Sequence, residues 1–260
     1  MASAPNHNGP EPNDPKHLDR LLSGWPYEFG EVVARLAAGA DGREVVQLRI
    51  DLGMLQMEVS GRPDGWRPEG FETYYDFLLS AAFEDGESFT LGSEHCLEID
   101  REFVQFYHRR IGWLALREFR RAVLDADHTL ALMDFSSAHA PDPEWADLHE
   151  QYRPFVLFHR TQAAALAEID DLDPESAVEA IDAGMLRVQQ ALSEQEVCED
   201  EFEEDDLIQK LLELKRTLAD HYELETPLKQ QLDDAIAHEQ YELAAKIRDR
   251  MANRQPHRKM

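Results

Sequence analysis

Residue types that carry metal or enzymatic chemistry are present in this chain, but their spacing does not group them. The 11 histidines do not fall at metal-ligand spacings, and His149 and His159 lie within one predicted helix at positions that point in different directions. His95–Cys96 is a pair with no second pair to complete a tetrahedral site. The sequence contains no GxxxxGKS/T phosphate loop, no GxSxG and no CxxC. We expect no metal, no cofactor and no catalysis, and an unrecognised enzyme in the N-terminal segment stays the alternative.

A proline- and glycine-rich segment, GRPDGWRP at residues 61–68, is first of all a turn. Its Arg62, Trp66 and Arg67 could also form a ligand-binding loop, because binding residues often lie on loops that a rigid scaffold positions.

Composition predicts a globular protein with a strongly acidic surface. The 260 residues suffice for one large or two small domains, with 43% hydrophobic and 30% charged residues. The net charge is −27, although residues 226–260 carry seven Lys/Arg against five Asp/Glu. This acidity disfavours direct nucleic-acid binding, which depends on cations meeting phosphates. It indicates a role in solubility, with DNA mimicry or a basic partner as the alternative.

Two further features concern location. No stretch of about 18 uninterrupted apolar residues exists, so we expect no membrane span. The first 17 residues lack the basic and apolar regions of a secretory signal, and the two cysteines, Cys96 and Cys198, lie far apart in sequence. We therefore predict a cytoplasmic protein.

The N-terminal third reads as an α+β segment, residues 18–96, after a disordered tail at 1–17. Phe29, Val32, Val33 and Leu36 fall on one helical face and predict a helix over 27–38. Alternating apolar residues over 46–59 predict a β-hairpin with a two-residue turn at Leu52–Gly53. That register places Ile50 opposite Leu55, Leu48 opposite Met57 and Val46 opposite Val59. The helix and the aromatic segment 71–83 would cover the hairpin.

The rest of the chain predicts helices, which gives a mostly α member of the α+β class. We expect a helical region over 97–193, an acidic linker over 194–206, and a long helix with a helical hairpin over 207–260. The predicted helices span 98–115, 118–134, 144–169, 175–193, 205–223, 226–237 and 240–253.

Two segments of the helical region resemble the second helix of a tetratricopeptide (TPR) repeat. The first carries Ala122 and Ala126, and the second carries Ala177, Ile181 and Gly184. Small residues at these spacings let paired helices approach closely. Because Ala122 and Ala177 are 55 residues apart rather than the repeat's usual 34, ordinary antiparallel helix packing is the alternative.

The C-terminal segment TPLKQQLDDAIAHEQYELAAKIRDRMANR carries the most specific pattern. Thr226 can cap a helix that begins at Pro227, and the second helix carries an alanine pair followed by Arg248 and Asp249. The segment resembles the UvrB/UvrC (UVR) motif, at the positions Leu228, Leu232, Ala235, Glu239, Tyr241, Glu242, Ala244, Ala245, Arg248, Asp249 and Met251.

The resemblance implies a non-enzymatic interaction protein whose hairpin docks on a similar hairpin, either in another protein or in a second copy. We predict the partner-binding residues Leu228, Leu232, Ile236, Tyr241, Glu242, Ala244, Ala245, Arg248 and Asp249. Two narrower roles follow from the family: an accessory factor of nucleotide excision repair that binds a UvrB- or UvrC-like protein, and a regulator of a protein kinase or Clp-type protease. Related regulators of the second kind carry zinc-binding cysteine pairs, which this sequence lacks. A plain pair of terminal helices capping the neighbouring domain is the structural alternative.

Overall fold

The computed structural model describes residues 18–195, 205–222, 236 and 240–254. Over these residues the protein is mostly helical with a small antiparallel β-sheet, which confirms the predicted fold class. The chain divides into two compact units, residues 1–141 and 142–260. The boundary falls inside the helical region predicted for 97–193, so the two TPR-like segments lie in different units. The predicted tail at 1–17 lies outside the described residues, as does most of the predicted linker.

The sheet of the first unit contains strands β1 (Val33–Ala38), β2 (Glu44–Ile50) and β3 (Gly53–Glu58), in that order. The predicted β2–β3 hairpin is present, but its register was wrong by two residues. Leu48 pairs with Leu55 and Val46 with Met57, with Ile50 opposite Gly53 at the end of the strand. A shift of two residues keeps every side chain on its predicted face, because side chains alternate with a period of two.

The predicted helix at 27–38 was wrong, because residues 33–38 form β1, an edge strand of the sheet. Six residues of β1 pair with β2, from Val33 opposite Arg49 to Ala38 opposite Glu44. The apolar residues that suggested a helical stripe are not buried as one: Phe29 is almost fully exposed and Val32 is half exposed. Pairing with β2 outweighs the local helical pattern, as tertiary context often does for short segments.

One helix of the first unit packs on the sheet. After α1 (Asp19–Leu22), α2 (Tyr74–Asp85) leads into α3 (Ser93–Ala115) and α4 (Phe119–His139). The long helix α3 contacts both β1 and β2. A Cβ on Gly112 would meet Val46 Cγ1 at 3.2 Å, so the missing side chain lets α3 approach the sheet closely.

Every secondary-structure element among the described residues of the second unit is a helix. It contains α5 (Pro143–Glu150), α6 (Arg153–Asp170), α7 (Pro174–Glu194), α8 (Asp206–His221) and α9 (Tyr241–Arg254). The helix predicted for 144–169 is two helices, α5 and α6, and Pro154 lies in the first turn of α6. Proline lacks the N–H that a continuous helix would need at that point.

The hairpins α3–α4 and α6–α7 share one loop geometry. In each, a residue with positive φ follows the first helix: Arg117 at 61° and Leu172 at 63°. Glu118 N donates to Trp113 O, and Asp173 N donates to Glu168 O, the six-residue bond of a Schellman motif. Arg117 and Leu172 are 55 residues apart, the spacing of Ala122 and Ala177. The two hairpins therefore repeat a local structure, whereas a TPR array stays a prediction.

Candidate docking surface

The C-terminal helix α9 exposes large apolar side chains. Tyr241 is 69% exposed and Leu243 is 47% exposed, and Ile236, which precedes the helix, is 51% exposed. At about 100° per residue, Leu243 lies on nearly the opposite side of the helix from Tyr241. Both sides of α9 thus offer apolar contact area.

The predicted packing face of α9 has mixed exposure. Tyr241, Ala244, Ala245 and Arg248 share one side by helical spacing. Ala244 is 8% exposed and Ala245 is half-buried, while Arg248 and Glu242 are exposed. The small side chains would allow another helix to approach this side of α9 closely, and Tyr241 offers a large contact area on the same side.

Part of the predicted set cannot be placed by the structure. Leu228 and Leu232, together with the first helix of the predicted hairpin up to residue 235, lie outside the described residues, as does the side chain of Asp249. Ile236 is described and is helical. Leu243 is an exposed residue that the sequence reasoning missed. Leu243 lies outside the helical stripe of Tyr241, Ala244 and Ala245 that defines the predicted face. The sequence marked it only as an apolar residue on the polar side of the helix.

A cleft of 310 Å³ lies in the first unit, beside the loop that carries Arg62, Trp66 and Arg67. The structure brings all three of these residues to this cleft. The Arg62 guanidinium lies 4.7 Å from the Trp66 ring centroid. The cleft is also lined by residues of β3, of the loop that follows it and of the β1–β2 turn: Arg43, Glu58, Ser60, Gly65 and Glu72.

A buried polar cluster joins α2, α3 and α4 next to this loop. Glu102, fully buried on α3, accepts hydrogen bonds from Tyr74 N at 2.8 Å and Tyr75 N at 3.1 Å, which are the free N–H groups of the first turn of α2. His128 Nε2 lies 2.9 Å from Glu102 Oε1. Burial, with a smaller effect of Glu98, raises the pKa of Tyr74 to about 12. No local sequence pattern marks this cluster, because its members come from three separate helices.

Two arginines of α3 point into the same interior. Arg109 binds Asp125 of α4 through two hydrogen bonds of 2.9 and 2.7 Å, and it donates to the carbonyls of Glu58 and Gly61. Arg110 NH1 donates to Thr129 Oγ1 at 3.0 Å, and burial lowers the pKa of Arg110 to about 10. These side chains satisfy one another, which is typical of a structural network.

Other kinds of site are not found in the described part of the chain. No group of three or more His, Cys, Asp or Glu side chains there is arranged to hold a metal ion. No helix there combines the length and the apolar character needed to cross a membrane.

Comparison with known families gives a match at the C-terminal end of the described chain. Residues 226–253 match the family model described as the UvrB/uvrC motif. No curated protein and no solved structure matches the chain. The matched residues begin at Thr226 and include α9 almost to its end, so they coincide with the predicted hairpin. This protein therefore carries a UVR motif at residues 226–253.

Proposed function

We propose that this protein is a non-enzymatic adaptor that docks a partner protein through the hairpin at residues 226–254. The observation that carries this proposal is the exposure of Tyr241, Leu243 and Ile236 within a segment that matches the UVR motif. Fully burying a large apolar side chain contributes about 1.5–3 kcal/mol, so three such residues provide substantial affinity when a partner covers them.

Charged residues around this surface would choose the partner more than they would strengthen binding. Glu242 and Arg248 are exposed on α9. Exposed charges at an interface rim mainly affect register and association rate. Tyr241 combines a large apolar ring with a polar tip, which is typical of residues that dominate interface affinity.

The partner that fits this surface is a second UVR-like helical hairpin, in another protein or in a second copy of this chain. Two short helices cannot bury both of their faces alone, and pairing with another hairpin completes a four-helix unit. A UvrB- or UvrC-like repair protein is favoured over a kinase or Clp-type protease system. Regulators of the latter kind also contain UVR motifs, but they carry cysteine pairs that bind zinc, whereas the two cysteines of this chain are far apart in sequence.

The test compares partner capture by full-length protein and three variants: deletion of residues 226–260, Tyr241→Ala, and Tyr152→Ala as a control. Tyr152 is an exposed tyrosine of the second unit outside the motif. Crosslinking followed by mass spectrometry in the native host identifies captured proteins, and sedimentation equilibrium of the purified chain measures self-association. We expect the deletion to abolish capture or self-association, Tyr241→Ala to weaken it by about tenfold or more, and Tyr152→Ala to leave it unchanged.

The docking role would be contradicted by equal recovery of the same proteins, or equal self-association, with and without residues 226–260. Ala245→Arg supplies a second check, because a bulky charge on the packing side of α9 should block close helix approach. Unchanged sedimentation and capture for both Tyr241→Ala and Ala245→Arg would instead indicate a hairpin that caps the neighbouring domain.

A further inference from the structure

Backbone hydrogen bonds hold the loop around Arg62, which borders the cleft, in place. Arg62 N donates to Glu72 O at 2.8 Å, and Glu58 N donates to Pro63 O at 2.8 Å. Gly61 and Gly65 have positive φ of 63° and 76°, a conformation that other residues adopt at a cost. The cleft is therefore preformed, as small-molecule sites usually are.

Side chains of α3 also hold this loop in place through hydrogen bonds. Gln105 Nε2 donates to Asp64 Oδ2 at 2.8 Å, and Arg109 NH1 donates to Gly61 O at 2.8 Å. Trp66 N donates to Asp64 Oδ1 at 2.9 Å, which sets the position from which the indole extends. Trp66 is 46% exposed, so one part of its ring is open to a ligand while another part faces Arg62.

Arg62 lies at the cleft with a side chain that is 1% exposed. Its NH2 donates to Glu98 at 2.7 Å and its Nε lies 3.2 Å from Asp64. Its remaining nitrogen, NH1, is buried and has no hydrogen-bond partner among the described residues. A buried donor without an acceptor costs free energy, and the Arg62 guanidinium adds positive charge to the lining of the cleft.

The two other arginines of the lining sit at its mouth. Arg43 binds Glu58 and Asp41, each at 2.8 Å, and Arg67 binds Glu72. Both arginines are about half exposed, and so is Glu72. Exposed pairs contribute little net stability, so an incoming anion can exchange with Glu72 on Arg67 at small cost. The acids Glu58, Asp64, Glu72 and Glu98 oppose anion entry, and the strength of binding depends on this exchange.

From these features we infer that the cleft binds a small organic oxyanion that carries a planar group. The oxyanion would bind the guanidinium groups of Arg67 and Arg43, and the planar group would stack on the open part of Trp66. Planar guanidinium groups bind carboxylates and phosphates through paired hydrogen bonds, and aromatic faces stack with other rings. A volume of 310 Å³ is at the small end of ligand sites, which limits the ligand to about one ring with its anionic substituent.

The test is isothermal titration calorimetry of the full chain with benzoate, phenyl phosphate, inorganic phosphate and neutral benzamide. Binding of benzoate or phenyl phosphate is expected, with the preference between them identifying the oxyanion as carboxylate or phosphate. Benzamide should bind at least about tenfold more weakly, because it lacks the charge. Inorganic phosphate should also bind more weakly than phenyl phosphate, because it lacks the ring.

Variants locate the site without depending on a loss of folding. Arg67→Gln should weaken binding by about tenfold or more, whereas Arg121→Gln, which changes a partly exposed paired arginine outside the cleft, should not. Glu72→Gln should strengthen binding severalfold, since it frees Arg67 and removes a repelling charge, and misfolding cannot produce that gain.

The inference is overturned if neither ring-bearing anion binds up to about 10 mM, where even millimolar affinities are visible. It is also overturned if benzamide binds as well as benzoate, or if Glu72→Gln and Arg67→Gln both leave the affinity unchanged.

Discussion

Arg109 and Asp125 form a buried ion pair that links α3 to α4. Their side chains are 4% and 6% exposed, and the guanidinium also binds two backbone carbonyls of the β3 end and the loop that follows. Taking such charges out of water is costly, and the cost is offset only while every donor has an acceptor. The pair therefore positions both the hairpin α3–α4 and the loop at the cleft.

We predict that Asp125→Ala lowers the free energy of unfolding by about 3–5 kcal/mol, because Arg109 is then left as a buried charge without its carboxylate. Urea denaturation followed by circular dichroism measures the change. Glu118→Ala is the control, since it removes the carboxylate of an exposed pair with Arg121 and should cost at most about 1 kcal/mol. Similar losses for both variants would refute a special role for the buried pair.

The buried phenol of Tyr74 makes the stability of the protein depend on pH in the alkaline range. Its pKa is raised to about 12 in the folded protein, mainly by burial, from an ordinary value of 10.0. Between these values the unfolded chain loses the phenolic proton and the folded chain keeps it, so unfolding becomes more favourable as pH rises. We expect Tyr74→Phe to lose less stability than the native chain from pH 10 to pH 12. Urea denaturation at stepped alkaline pH measures this, and parallel curves for the two proteins would contradict it.

At the scale of elements, the approach of α6 and α7 depends on Gly184. Gly184 lies on α7 against Thr161 of α6, and an added Cβ would overlap the threonine side chain. Thr161 is buried and donates to Leu157 O at 2.8 Å, so it has little room to move. Gly184 belongs to the small-residue pattern that the sequence presented as TPR-like.

We predict that Gly184→Ala lowers the free energy of unfolding by about 1–3 kcal/mol, the usual cost of overpacking. The sign is informative, because alanine has a higher helix propensity than glycine by about 1 kcal/mol and would otherwise stabilise α7. Thermal and urea denaturation measure the effect. Adding Thr161→Ala should recover part of the loss, whereas fully additive effects of the two changes would argue against direct overlap.

The prediction of secondary structure succeeded for long segments that bury one helical face. It failed where pairing with a distant strand determines the conformation. The helices α7 and α8 start and end within two residues of their predicted bounds, whereas α3 begins five residues earlier and α4 ends five residues later than predicted. The strand β1 was predicted as a helix because a segment of six residues is too short for its periodicity to distinguish the two conformations. Its pairing with β2 determines that it is a strand. The break between α5 and α6 was missed although Pro154 marked it.

At the scale of the whole molecule, each of the two compact units has its own buried residues. The first includes Val46, Ile99 and Trp113, and the second includes Ala163, Ile181 and Leu211. A unit with its own core and internal hydrogen bonds can in principle fold alone.

We predict that residues 18–141 fold without the rest of the chain, with a single cooperative urea transition and a circular dichroism spectrum of mixed helix and sheet. Residues 18–115 serve as the control, since they lack α4 and leave Arg109 without Asp125. They should show no cooperative transition. A non-cooperative 18–141 fragment would show that this unit needs the remainder of the chain.

The sequence alone determined the mostly helical class, the β2–β3 hairpin with its apolar face, and the UVR motif. These depend on local signals: period, caps, turn residues and a short dense motif. The tertiary structure decided the third strand, the shared loop geometry of the two helical hairpins, and the convergence of Arg43, Arg62, Trp66 and Arg67 on one cleft. It also decided the burial of Glu102, Arg109 and Asp125, which look like ordinary members of an acidic, solvated sequence. The reason is physical, because a strand partner, a cleft and a buried charge pair depend on residues far apart in the chain, and no local pattern records which of them will meet.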